Sequence, residues 1–355
     1  MKFLKIVLAL SLVTLITACG SDDRETLYVL NWGEYIDQDL VAKFEEEFNV
    51  KVVYEEVEST EAMYSKISSK AVTYDVAFPS EYTIELMIKE DMLHEIDKDI
   101  VTNFKNIDSK YYELTDFDSS GQYYIPYFTG SIGIMYNKDL VDEKDLDGWS
   151  TLWNNKYENQ VYLYDSIRDT MSVGAYYNGY SINTTNDDEL AEIEDSLSKL
   201  NENARGYGTD DLKSLVAAGD GAMAVVYSGD YLVTYADQIE SASSVNVGYY
   251  IPEEGTNVWL DGAVIPNTSQ NQELANKFIN FMLDEENAKQ NAEYVGYTTT
   301  NAKAYESFIE SGDELYQTEA YLIPEEKLSK SEVYKNLELE YNQIYSEIFI
   351  RVKND

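Results

Sequence analysis

The sequence predicts an α/β chain of two domains, each built on a doubly wound, largely parallel sheet. Three observations carry this. Between residues 27 and 89, apolar β-branched runs alternate with amphipathic segments in the order strand, helix, strand, helix, strand. Such alternation folds with right-handed crossovers into a parallel sheet. From about Gly130 the alternation begins again, and the chain has 355 residues, more than one simple core ordinarily serves.

Taken in order, the first unit opens on a strand at Leu27–Asn31. Asp37 is the N-cap of a helix to about Phe48, whose apolar face is Leu40, Val41, Phe44 and Phe48. Strand Lys51–Val57, helix Thr60–Ala71, strand Tyr74–Phe78 and helix Tyr82–Lys89 follow. The second unit brings a strand at Ile132–Tyr136, a helical region near Trp149–Asn155 and a strand at Val161–Tyr164. A helix follows Asp165-Ser166-Ile167-Arg168-Asp169, and Asp187–Asn203 is a charged amphipathic helix. Ala222–Tyr227 is a strand, with Ser228 as N-cap of the helix after it. Strands Val245–Ile251 and Val258–Ile265 flank the turn Pro252-Glu253-Glu254-Gly255. Helices near 271–283 and 285–294 lead to Gly296-Tyr297-Thr298-Thr299-Thr300-Asn301, and a long final helix runs from about Ser331 to Phe349.

The N-terminus reads as an export signal. Lys2 and Lys5 flank an apolar run, Phe3 to Ile16, that is too short to span a membrane and ends in Thr17-Ala18-Cys19. Residues 1–18 are expected to be removed and Cys19 lipidated. Residues 19–25 would then be a polar tether on the extracytoplasmic face of a membrane, which is the periplasm if the cell has an outer membrane. Cys19 is the only cysteine and His94 the only histidine. The mature chain therefore lacks a disulfide, a serine or cysteine triad and a histidine-based zinc site. No cofactor and no metal are implied. The net charge of −40 becomes −42 once Lys2 and Lys5 are gone. Such a surface repels nucleic acid and anionic lipid and attracts cations, although most of these carboxylates must simply be solvated.

In doubly wound sheets, ligands sit beyond the carboxyl ends of the strands. The segments there carry rings and carboxylates: Trp32-Gly33-Glu34-Tyr35, Ser80-Glu81-Tyr82, Asp169, Tyr227 and Tyr297. On the strand Val258–Ile265, Trp259 and Asp261 share one face, roughly 7 Å apart. An indole face and a carboxylate suit an organic ammonium ion, through cation–π attraction and N–H bonds. Taken singly, each residue is also what a core edge, a helix start or a loop anchor would carry. Their recurrence at several strand ends points to one shared cationic site.

The chain resembles the polyamine-binding proteins of spermidine/putrescine ABC transporters over nearly its full mature length. The resemblance rests on Asn31-Trp32-Gly33-Glu34-Tyr35, Tyr74-Asp75-Val76-Ala77-Phe78-Pro79-Ser80-Glu81-Tyr82, Gly133-Ile134-Met135-Tyr136-Asn137-Lys138, Trp259-Leu260-Asp261 and the Gly296–Asn301 turn. It implies a two-lobe periplasmic-binding-protein-like fold with a ligand cleft between lobes. Lobe 1 would be 26–130 with 261–303, and lobe 2 would be 131–260 with 304–355. It implies putrescine and/or spermidine as ligand, permease subunits of an ABC transporter as partner, and no enzymatic activity. By the same resemblance Trp32, Glu34, Tyr35, Ser80, Tyr82, Ser166, Asp169, Tyr227, Trp259, Asp261 and Tyr297 are the candidate ligand contacts. Trp259 would lie under the methylenes and Asp261 would meet an amine.

The chain departs from the family at Ser166-Ile167-Arg168-Asp169, where the family often reads Asp-x-Arg-Glu. Asp165, next to it on an extended segment, would face the other way. Tyr227 stands where the family often has tryptophan, and Tyr334 is a poor match for the family's late polar residue. Two further readings stay open: the same fold binding another small organic solute such as an amino acid or sugar, and, more remotely, an extracellular hydrolase with a carboxylate pair.

Overall fold

The computed structural model describes residues 24–354 except 116, 242, 243 and 245. The expected signal, Cys19 and most of the tether lie outside the described residues, as does the start of the strand expected at Val245. In chain order the strands are β1 (Thr26–Trp32), β2 (Lys51–Val57), β3 (Val76–Ala77), β4 (Tyr124–Asn137), β5 (Val161–Tyr164), β6 (Ala204–Gly208), β7 (Met223–Tyr227), β8 (Val247–Tyr250), β9 (Val258–Val264) and β10 (Thr298–Thr299). The α-helices are α1 (Gln38–Phe48), α2 (Thr60–Ser69), α3 (Glu81–Lys89), α4 (Lys110–Glu113), α5 (Ile167–Asn178), α6 (Asp187–Asn203), α7 (Leu212–Ala217), α8 (Ser228–Glu240), α9 (Gln272–Met282), α10 (Glu285–Val295), α11 (Ala302–Glu310), α12 (Glu325–Leu328) and α13 (Leu339–Asn354).

The first unit follows the predicted winding. β1 pairs in parallel with β2 along its whole length and with β3 on its other edge. Asp37 caps α1 by accepting the Asp39 N–H, and Ser59 caps α2 by accepting that of Ala62. The second unit is parallel where β5 pairs with β6 and β7. Between them the sheet is antiparallel; the main order is β2-β1-β3-β9-β4-β7-β5-β6, with β8 and β10 each paired to β4 beside it.

β4 is the strand that joins the two parts. All 14 of its residues are buried. Residues 124–131 pair with β9 and β10, and residues 132–137 with β7 and β8. Its register shifts between Pro126 and Phe128, where proline has no N–H to give the ladder. The sequence pattern revealed only the second half of β4, because alternation breaks at Pro126 and Gly130.

Several expected elements differ. Residues 149–153 form a 3-10 helix. β8 and β9 do not pair with each other across their turn, because each takes a different half of β4. Ser228 opens α8 rather than capping it; its Oγ instead accepts the Ser131 N–H at 3.3 Å. The final helix begins at Leu339, not Ser331. Residues 332–336 stay extended because their backbone groups bond to side chains and strands elsewhere: Tyr334 N to Glu81, Lys335 N to Asn183, Asn336 N to Glu85. Tertiary partners here override helix propensity. β6, α7 and α11 carry no signal strong enough to predict.

The core has two clusters. One centres on Leu27, Leu30, Phe44, Phe78 and Phe278, the other on Trp149, Tyr157, Ile193, Leu197 and Tyr345. Trp149, fully buried, satisfies its indole N–H on the Gly255 carbonyl at 2.9 Å. No helix among the described residues is long and apolar enough to cross a membrane.

Candidate functional site

The carboxyl ends of β1, β3, β5 and β7 converge on the face of β9 that carries Trp259 and Asp261. Both are buried, at 8% and 6% exposure, with Leu260 fully buried behind them. The alternation predicted for this strand holds. Asp261 pairs through its backbone with Ser80, and its Oδ2 accepts the Tyr35 hydroxyl at 2.8 Å. Tyr35 is itself fixed, since its carbonyl accepts the Tyr127 hydroxyl at 3.0 Å, and that hydroxyl accepts the Asn291 amide at 2.6 Å. Burial pushes the Asp261 carboxyl up from its usual 3.8 to about 6. Tyr35, Ser80 and Trp32, all beside it, oppose that rise. Trp32 Nε1 nevertheless makes no hydrogen bond of ordinary geometry, and neither does Trp259 Nε1.

The second carboxylate is Asp169, 3% exposed, at the start of α5. Its Oδ2 accepts the Tyr227 hydroxyl at 2.7 Å and its Oδ1 the Tyr334 hydroxyl at 2.8 Å. Tyr334, a poor match by sequence, is therefore brought onto a candidate site carboxylate. Tyr82 enters through it, the two rings meeting edge to face at 5.9 Å. The buried Arg168 guanidinium lies 4.5 Å over Tyr334 and 5.4 Å over Tyr82 and donates to the Lys335 carbonyl at 3.0 Å. Asp165 turns outward as expected and pairs with Lys353 at 2.5 Å.

A run of rings connects the two carboxylates. Tyr227 meets Trp259 at 6.0 Å, Trp259 meets Tyr297 at 4.9 Å, and Tyr297 meets Tyr35 at 5.7 Å, all edge to face. Two glycines let these rings in. A Cβ on Gly130 would stand 2.5 Å from the Trp259 ring, and one on Gly229 2.3 Å from the Tyr297 ring.

Two predicted residues stand apart. Glu34 is exposed, with a positive φ of 51°, and no hydrogen bond ties it to the other members. Ser166 caps α5, its Oγ accepting the Asp169 N–H at 3.5 Å. Two features escaped the sequence reading. Lys213 Nζ lies 3.0 Å from Oδ1 of Asp230, whose Oδ2 is buried without a partner. Burial pushes the Asp230 carboxyl up to about 6 against the pull of Lys213. Glu81, fully buried, accepts the Leu260 N–H and the Tyr334 N–H, each at 3.1 Å. Burial raises its carboxyl to about 8, and the charge of Asp261 adds to the rise. Its only sequence signal is its position between Ser80 and Tyr82, where it reads as an ordinary first-turn acid.

Tyrosine hydroxyls, not cations, face the buried carboxylates Asp169 and Asp261. No ion pair among the described residues joins either to lysine or arginine. The arrangement can therefore accept positive charge from outside the chain, and the flat rings between can cover an apolar stem.

This fold belongs to a class. The chain is a member of the bacterial extracellular solute-binding proteins, whose family profile matches residues 39–320. More particularly, it is 35% identical over 289 residues to the spermidine/putrescine-binding periplasmic protein of Escherichia coli (strain K12), covering 81% of each chain. It is 31% identical over 317 residues to the putrescine-binding periplasmic protein SpuD of Pseudomonas aeruginosa (strain UCBPP-PA14), covering 85% of this chain and 86% of that one. Its structure matches that of the spermidine/putrescine ABC transporter substrate-binding protein PotD from Streptococcus pneumoniae with a TM-score of 0.79 and 37% identity. That match covers 93% of this chain and 99% of the other. The fold is accordingly the two-lobe periplasmic-binding-protein fold expected from the sequence.

Proposed function

We propose that this chain captures polyamines, putrescine and/or spermidine, outside the cytoplasm and delivers them to an ABC permease without chemical change. The observation that carries this is the pair of buried carboxylates, Asp169 and Asp261, joined by the ring run Tyr227–Trp259–Tyr297–Tyr35. A desolvated ammonium is costly unless paired, so each terminal amine needs its own carboxylate, and the methylenes between need an apolar wall. The similarity to relatives named for spermidine and putrescine supports the same ligand class.

Lobe 1 is 26–130 with 261–303, and lobe 2 is 131–260 with 304–355. Ligand contacts to both lobes favour the closed arrangement by population shift. Removal of residues 1–18 and lipidation of Cys19 would hold the mature protein to the membrane that carries its permease.

The test is thermal unfolding of the ligand-stripped mature protein. Putrescine or spermidine at a hundredfold excess over Kd stabilises it by about 2.7 kcal/mol, a shift of several degrees. No shift with either amine, nor with spermine, sinks the reading.

A pH dependence follows from the burial of Asp261. In the ligand-free fold its carboxyl gains a proton as pH falls through about 6. An ammonium partner needs the ionised form, so binding then releases a proton. Affinity therefore falls below pH 6, by up to about tenfold per pH unit for this one group. The same upward shift makes the ligand-free fold lose stability as pH rises from 3.8 to about 6, because the ionised acid is worse off buried than in the unfolded chain. Calorimetry at pH 5 and pH 7.5 checks the first effect; equal affinities would exclude Asp261 as an ammonium partner.

A further inference from the structure

The extended segment 332–338 lies along α3 in a repeating contact. Glu81, Glu85 and Lys89 are spaced by four residues, so they share one face of the helix. Their partners are spaced by two: Glu81 Oε1 accepts the Tyr334 N–H at 3.1 Å, and Glu85 Oε2 the Asn336 N–H at 2.8 Å. Lys89 Nζ meets Glu338 Oε1 at 3.0 Å. Four helical residues rise ~6 Å and two extended residues ~6.6 Å, so the two repeats stay in step.

The other face of the segment is held from elsewhere. Lys335 N–H and the Val333 carbonyl bond to Asn183, and the Glu332 carbonyl accepts the Val258 N–H. Ile84 and Met87 of α3 belong to one core cluster, Tyr334 and Leu337 to the other. The rungs therefore bridge the two cores.

The rungs weaken away from the site. Glu81 is fully buried and Glu85 half-buried. The Lys89–Glu338 pair is exposed, at 59% and 78%, and contributes little. At its strong end this ladder touches the candidate site twice. Tyr334 donates its hydroxyl to Asp169, and Glu81 accepts the N–H of Leu260, between Trp259 and Asp261.

We propose that Glu81 and Glu85 are positioning residues for ligand capture: they fasten segment 332–338 across α3, hold Tyr334 on Asp169, and so set how long the closed cleft keeps its solute. This rests on the solute-capture reading above and adds two residues outside the candidate ligand contacts. Bonds between α3 and segment 332–338 must break before the proposed lobes part, so they slow release without helping the first encounter. A lost bond to a charged acceptor should then be read in the dissociation rate.

The test uses the full mature protein and the tryptophan fluorescence change on mixing with putrescine or spermidine. Glu85→Ala removes an acceptor at a half-buried position without opening the core. Its dissociation rate rises about tenfold while its association rate stays within about twofold. Glu85→Gln, whose amide oxygen still accepts the Asn336 N–H, recovers most of the wild-type rate. An unchanged dissociation rate in Glu85→Ala, a loss confined to association, or a Gln variant no better than Ala overturns the proposal.

A second measurement needs no ligand. Amide exchange across 332–338 is faster in ligand-free Glu85→Ala than in wild type. Unchanged exchange overturns the proposal whether or not any polyamine binds. Failure of the wild type to bind either amine counts instead against the solute assigned to the cleft.

Discussion

Asp261→Asn weakens putrescine and spermidine binding by about 30-fold or more. The amide keeps the size of the carboxyl and can still accept the Tyr35 hydroxyl. It cannot supply charge. A ligand amine brought against β9 would then be buried without a counter-ion, which costs about 2–5 kcal/mol, and 2 kcal/mol is about 30-fold in Kd. The ligand-free variant should be at least as stable as the wild type at neutral pH. The substitution removes a buried acid whose carboxyl burial has pushed up to about 6, and which is therefore strained when ionised. A loss of affinity with no loss of melting temperature would mark Asp261 as an ammonium partner. Calorimetry and thermal unfolding on the same preparation decide it, and wild-type affinity would remove Asp261 from the site.

Trp259→Ala is the second large effect. The ring is 8% exposed, edge to face with Tyr227 and Tyr297 and close over Gly130. Its removal takes away the broadest apolar surface between the carboxylates and lets water beside an ammonium. A tenfold to hundredfold loss is expected, since a desolvated cation–π contact alone is worth about 2 kcal/mol. The fold also loses stability, by about 3–5 kcal/mol for a buried aromatic. Trp259→Phe separates the two, because it keeps a ring at the site and restores part of the affinity. Scattering from the ligand-saturated Ala variant adds a further distinction. Normal compaction with weak binding leaves Trp259 a contact residue, whereas incomplete compaction gives it a part in closure.

The regular elements were largely legible in the sequence. Lys51–Val57 and Asp187–Asn203 have the predicted bounds, because periodicity and local caps act within a few residues of chain. The approach of Trp259, Asp261, Tyr227 and Tyr297 was foreseeable from strand ends in a wound sheet. What was not legible depends on partners far along the chain. Segment 331–338 carries a helical pattern, yet residues 334 and 336 give their N–H groups to α3, some 250 positions earlier. Tyr334 matches the family's late polar residue poorly; its place at the site comes from Asp169, 165 positions earlier. Glu81 resembles any first-turn acid until its burial is known. Glu34 shows the converse: a carboxylate within a well-matched motif is exposed, on a residue of positive φ.

Gly130 carries one more consequence. It sits on β4 next to the last residue of the stretch paired with β9, two residues before the strand passes to β7 and β8, and the Trp259 ring rests where its Cβ would be. In the proposed two-lobe arrangement, the point about which the halves turn and the floor under the solute would be the same few atoms. Under that proposal, a change at Trp259 that alters ligand fit would alter the swing of the lobes as well.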